Sequence, residues 1–317
     1  MSKRGWILFA AMGVIWGIPY LLIKVAVDEI APSTLVLART SIAALLLMPI
    51  ALARGQVRVL LPRWKPLALF ALVEICVPWL MLGFAEQQIS SSLTGLLIAA
   101  VPLVGALLAH YGPAGDALDR RRVLGLLLGL AGVSALVGFE VQVDDVRAVI
   151  AIGVVAIAYA VGPLILSRHL ADLPGTGVMA FALLLSAVIY LPAGIAQAPD
   201  HWPSAKVIAA IAGLAVVCTT IAFLVFFALI AEVGPARATV ITYVNPAVAL
   251  LLGVLILDES FTVATGVGFG LILLGSVLAT SRDRSAPQRR TPSDITSSRL
   301  RATDVECADL GSPVGEP

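Results

Sequence analysis

Glu74 is an acid in the middle of an apolar run, LALFALVEICVPWLMLGF, and an acid there needs a chemical reason. Read as a helix rising 1.5 Å per residue, the run places Glu74 about 12 Å above its start, near the centre of a roughly 30 Å hydrocarbon layer. Acids at that depth are costly and normally face the bundle interior or a wet cavity. Two roles fit: binding a proton or a substrate amine, or a structural acid satisfied by backbone or a neighbouring side chain. Lys24 closes the first apolar run and Arg39 opens the second. Helix rise puts Lys24 some 16 Å from Glu74 along the membrane normal, so no direct ion pair with Glu74 is expected. Both cations could snorkel to the outer surface, with Asp28 or Glu29 near Lys24. Alternatively they line an outer vestibule for a carboxylate or another anion, which a guanidinium grips bidentately.

Trp16, Tyr20, Trp79, Tyr159, Tyr243 and Asn245 complete the candidates. Amphipathic aromatics in mid-span either pack or line a cavity where the polar tip meets water or ligand. Asn245 precedes Pro246 and serves either the carbonyl that the proline frees or a substrate.

The elements that position these residues follow from composition. The 317-residue chain is 59% hydrophobic and 13% charged, against about 25% charged in soluble proteins. Ten segments are long and apolar enough to span: 5–27, 33–53, 66–86, 89–109, 122–139, 147–167, 175–197, 206–230, 236–257 and 260–281. Lipid offers no backbone partners, so each is expected as a helix, and the fold class is all-α integral membrane. Positions 5–23 are 19 residues without a charge, too long for a signal core of about 7 to 15 residues, so they read as a retained span. Beyond Ser281 the composition turns to Arg, Ser, Thr, Pro and Asp, and 282–317 is expected as a disordered cytoplasmic tail whose basic first part suits anionic headgroups.

The chain is written twice. Asp116/Glu259, Gly125/Gly268, Gly132/Gly275, Pro32/Pro174, Pro49/Pro192, Pro19/Pro163 and Pro102/Pro246 are each 142 to 144 residues apart. A period held by seven pairs is an internal duplication, with repeats 5–139 and 147–281. Five spans per repeat, an odd number, set the second copy upside down in the membrane. With the N-terminus inside, 17 of the 21 Lys and Arg fall on the inner side, so both termini are expected in the cytoplasm. Inverted repeats are a transporter architecture with a site near mid-membrane.

VIWGIPYLLIKVAV in the first span, the arginine of LVLART in the second, and the two P…(D/E)…G…G blocks resemble the EamA family of drug/metabolite transporters. The resemblance covers about 5–281. It implies ten helices, a central cavity, and export of an amino acid or related small metabolite. Efflux of hydrophobic cations and uptake of a metabolite are the alternatives within transport. Asp116 stands where the family usually has glutamate, in HYGPAGDALDRRR, while Glu259 keeps the usual form. Both acids are expected to favour the N-terminus of the helix that follows.

Other classes are poorly served. Histidines 110, 169 and 201 have no metal-ligand spacing, and no Walker A loop is present, so no cofactor or metal is expected. A membrane enzyme would need clustered ligands or a nucleophile with its base. The net charge of +1 gives no reason to expect nucleic acid. The partners expected are the bilayer and a small-molecule substrate. Cys76, Cys218 and Cys307 lack CxxC spacing, and the first two are expected as reduced core residues. Gly125/Gly129 and Gly266/Gly270 form GxxxG pairs, expected to pack helices within each half, with a homodimer seam as the alternative.

Overall fold

The computed structural model describes residues 1–111, 119–140 and 145–280. Among these no strand occurs, and ten helices are long and apolar enough to cross a membrane. They are α1 (Lys3–Val27), α2 (Pro32–Ala53), α3 (Val57–Glu86), α4 (Ser91–Tyr111), α5 (Arg120–Gly138), α6 (Val146–His169), α7 (Gly175–Ala196), α8 (Ala205–Val233), α9 (Thr239–Ile256) and α10 (Val263–Thr280). The expectations for Asp116, Cys307 and 282–317 lie outside the described residues.

Large apolar side chains cover the outside of the bundle, among them Leu45, Ile7 and Leu255. Such a surface suits lipid rather than water. Prolines act unevenly. α1 is interrupted at Trp16–Gly17, just before Pro19, and α4 between Ile98 and Val101, just before Pro102. Pro49, Pro163 and Pro192 lie inside continuous helices.

Partner choice follows the duplication. α5 packs on α10, α2 on α7, α4 on α9, α3 on α6 and α1 on α8. Exchanging the two halves maps this set of pairs onto itself. Equivalent helices also meet antiparallel. A Cβ on Gly125 would press on the Gly275 carbonyl and one on Gly132 on the Gly268 carbonyl, each at 2.7 Å. In α2, Ser33 Oγ donates to Gln197 Oε1 and Thr34 Oγ1 to the Gly194 carbonyl, so its start meets the end of α7.

The glycine expectation therefore needs correcting. Gly125 packs between the halves, and a Cβ on Gly129 would meet Leu103 of α4. In α10 the contact falls to Gly268 and Gly275, while Gly270 has nothing within 4 Å and Gly266 meets only Phe261 of the preceding turn. Helical spacing decides this: Gly268 and Gly275, seven residues apart, share a face that excludes 266 and 270.

Candidate functional site

Glu74 sits on a local widening of α3, a π-helical stretch at Leu72–Cys76. Pro78 has no N–H to return to the Glu74 carbonyl, and a π turn is one way a helix absorbs that loss. A second π stretch, Gly213–Ile221, lies at the corresponding place in α8. There Thr219 and Thr220 hydroxyls donate to carbonyls five residues back, Leu214 at 2.7 Å and Ala215 at 2.9 Å.

Between these stretches lies a polar cluster. The Glu74 carboxylate is partly buried and makes no hydrogen bond among the described residues, with Oε2 fully enclosed. Gly162 of α6 is its closest wall, since a Cβ there would collide with Oε2. Tyr159, one turn before Gly162, lies within electrostatic reach of Glu74 and Arg39 and bonds the Trp79 side chain. Arg39 is 6% exposed. Its guanidinium lies 3.5 Å from the Trp79 ring centroid, and Nε donates to Thr219 Oγ1 at 2.9 Å. Tyr20 and Cys218 complete its electrostatic surroundings. No carboxylate lies within 4.0 Å of Arg39 among the described residues.

Of the two roles open to these cations, snorkelling to the surface is not what Arg39 adopts, and Lys24 bonds carbonyls at a helix end. Arg39 turns inward because Trp79 gives it a π face and Thr219 an acceptor, which together offset part of the desolvation. Lys24 donates to the Glu86 and Ile89 carbonyls at 2.6 and 3.2 Å, capping the C-terminal end of α3. Glu259 also departs from expectation. It accepts from the Ser91 and Ser92 amides at 2.8 and 2.9 Å, serving the N-terminus of α4 rather than of its own helix. The anion still meets a helix dipole, but across the interface between halves.

The other candidates lie elsewhere. Trp16 packs on Phe226 and Phe223 of α8, with ring centroids at 4.8 and 6.0 Å. The Tyr243 hydroxyl bonds Thr280 Oγ1 at 2.8 Å, tying α9 to α10. The Asn245 amide nitrogen, assigned from its acceptors, reaches the Ile241 and Gly13 carbonyls at 3.0 and 3.1 Å and so ties α9 to α1. The carbonyl freed by Pro246 is that of Thr242, one residue from the one Asn245 takes. Thr219 and Glu86 were missed from sequence: a threonine in an apolar run and an acid at a span end carry no local signal.

Each end of the bundle carries a polar tie between halves. On the face that holds the N-terminus, Arg63 donates to Asp172 Oδ2 at 3.1 Å and to the His169 carbonyl at 2.6 Å. On the opposite face, Glu29 accepts from the Ser204 amide at 2.7 Å and from its hydroxyl, with Lys206 and His201 nearby. The Ser204 hydroxyl, and then its amide, hold the Glu29 carboxyl below the usual carboxylate value of 4.5. Arg63/Lys206 and Asp172/Glu29 are each 143 residues apart, the period of the duplication.

Ten lipid-facing helices around a polar cluster, with no His/Cys/Asp/Glu metal cluster among the described residues, define a multi-pass membrane protein whose polar groups lie inside. The chain matches the EamA-like transporter family twice, over 3–138 and 146–281, and belongs to it. It is 30% identical over 278 residues to the uncharacterized inner membrane transporter YedA of Escherichia coli K12, covering 85% of this chain and 88% of the relative. A probable terminal-alkyne amino-acid exporter of Streptantibioticus cattleyicolor is 26% identical, covering 92% of this chain and 99% of the relative. Among the solved structures that share the fold is a crystal structure with a TM-score of 0.62 at 23% identity, covering 88% of this chain and 97% of that one. The protein is a membrane transporter of this family.

Proposed function

We propose that the protein exports a small zwitterion, an amino acid or a close relative, by alternating access, with the Glu74–Arg39 cluster as its binding site. The observation that carries this reading is an enclosed acid and a buried guanidinium, each without an oppositely charged partner among the described residues. Glu74 and Arg39 both lie within electrostatic reach of Tyr159, yet neither has such a partner within 4.0 Å. A buried charge without a partner is costly, and one ligand carrying an amine and a carboxylate would neutralise both. Glu74 takes the amine or, between substrates, a proton. Arg39 takes the carboxylate through the terminal nitrogens that Thr219 leaves free, and Tyr159 and Trp79 hold the body between them. Arg39 also argues against a hydrophobic cation, which it would repel.

The antiparallel packing of equivalent helices supports an inverted duplication, and the matched ties at the two ends support alternation. Releasing one tie while keeping the other gives two nearly equivalent states of opposite access. The excess of Lys and Arg on the N-terminal face supports cytoplasmic termini. The amino-acid exporter among the relatives favours a substrate of this class and outward transport.

The test compares small molecules in the spent medium of cells overproducing the wild type, Glu74→Gln, or neither. One metabolite accumulating with the wild type alone identifies the substrate and the need for Glu74. Accumulation with both proteins keeps export and overturns the site. No change with either refutes export, and proteoliposome uptake then tests the opposite direction.

A further inference from the structure

A second carboxylate is enclosed at the far end of α3. Glu86 is 0% exposed, and neither carboxylate oxygen has a hydrogen-bond partner among the described residues. It lies twelve residues beyond Glu74, about 18 Å along the helix, so it is not part of the same cluster. The cation acting on it is Lys24, whose ammonium donates to the Glu86 and Ile89 backbone carbonyls rather than to the carboxylate. Glu259 acts with the same sign, and its own oxygens are taken by the Ser91 and Ser92 amides. Tyr20 faces it from α1. α2 and α6 bring Arg39 and Tyr159, which gather around Trp79, seven residues earlier in α3. The start of α4 brings Ser91, Ser92 and Thr94, and Ser91 Oγ is likewise enclosed without a partner among the described residues.

An ionised carboxylate in this setting is expensive, and two events relieve it. A proton can bind it, or Lys24 can leave its carbonyls for the carboxylate. The two exclude each other, which makes the group a switch.

We infer that Glu86 is a proton-binding site that acts through Lys24. With the proton bound, Lys24 stays on the carbonyls that end α3 and ties α1 to the α3–α4 turn. When the proton leaves, the ammonium turns to the carboxylate and that tie is released. The step is a carboxylate taking up and losing one proton, exchanged with the medium on the side of the α3–α4 turn. The inference rests on the transport reading only for what the proton drives.

The test is infrared difference spectroscopy of the full-length protein in lipid vesicles, titrated from about pH 5 to 9 with protons as the only ligand. Wild type and Glu74→Gln are expected to share a carboxylic C=O band that disappears as pH rises, and Glu86→Gln to lack it. Glu86→Asp keeps a titrating band, so loss in Glu86→Gln is not mere misfolding. Lys24→Met changes the midpoint by about one pH unit or more, the effect of a nearby opposite charge. An unchanged band in Glu86→Gln overturns the inference. So does a wild type with no titrating band, or one whose band is removed by sodium at constant pH. A titrating band without export would sink the transport reading alone. Export with the band still present in Glu86→Gln would sink this inference alone.

Discussion

The two ties predict mirror-image mutants. Asp172→Asn removes the negative charge that Arg63 grips and leaves the bond to the His169 carbonyl and one amide oxygen as acceptor. Arg63 and Asp172 are 45% and 63% exposed, so solvent screens the pair heavily. Exposed ion pairs contribute ~0.5–1 kcal/mol, which shifts a two-state equilibrium by about two- to five-fold. Asp172→Asn should therefore raise the population open on the N-terminal face by that factor, and high salt should reduce the difference. Glu29→Gln should do the reverse and favour opening on the other face. Low pH should imitate it in the wild type. Because the clamped Glu29 is held below the usual value of 4.5, its tie is intact above that value and is lost as pH falls through the depressed one. The assay is a distance distribution between spin labels on Arg58→Cys and Ser167→Cys, exposed on the same face as the Arg63 tie, in a protein otherwise free of cysteine. Asp172→Asn should enlarge the long-distance fraction and Glu29→Gln should shrink it. If both variants move that fraction the same way, or neither moves it, the ties are surface decoration and the alternation argument loses its structural support.

Three further outcomes test the packing. Gly162→Ala drives a methyl into the Glu74 carboxylate; it should abolish transport and cost about 1–3 kcal/mol, read as lost thermal stability in detergent. Glu259→Ala removes the acceptor of two α4 amides and should cost about 1 kcal/mol, while Glu259→Gln should recover part of that loss by the same melting assay. Gly275→Leu wedges α5 from α10 where a Cβ already falls 2.5 Å from the Gly125 carbonyl, so the folded yield should collapse. Gly270→Leu, on an open face of the same helix, should leave it unchanged.

The spans, their number and the duplication were legible because lipid imposes them on composition and because glycines and prolines hold a period. Glu74 was legible for the same reason, an acid where acids are expensive. Arg39 was not. Near a span end, a long cation has two outlets, and its choice depends on Trp79 and Thr219, which lie 40 and 180 residues away in sequence. Glu259 shows a different limit. Its dipole role was readable, but the helix it serves belongs to the other half and cannot be seen from its neighbours. Glu86 resembled any acid at a membrane boundary until the fold closed over it.

The site is asymmetric inside a scaffold that is not. The positions one period after Glu74, Arg39 and Trp79 are Val217, Ala182 and Ala222, and both alanines are 0% exposed. All three first-half residues thus have small or apolar equivalents in the second half, which instead supplies Tyr159 and Thr219. A strictly symmetric pair of charged sets would place two acids and two cations around one substrate, and self-repulsion would cost more than a single zwitterion returns. On the proposed reading, charges kept on one half would let the substrate stay bound to that half while the other rocks around it. On the same reading the duplication would supply two states of similar energy, and the broken symmetry one orientation for the cargo.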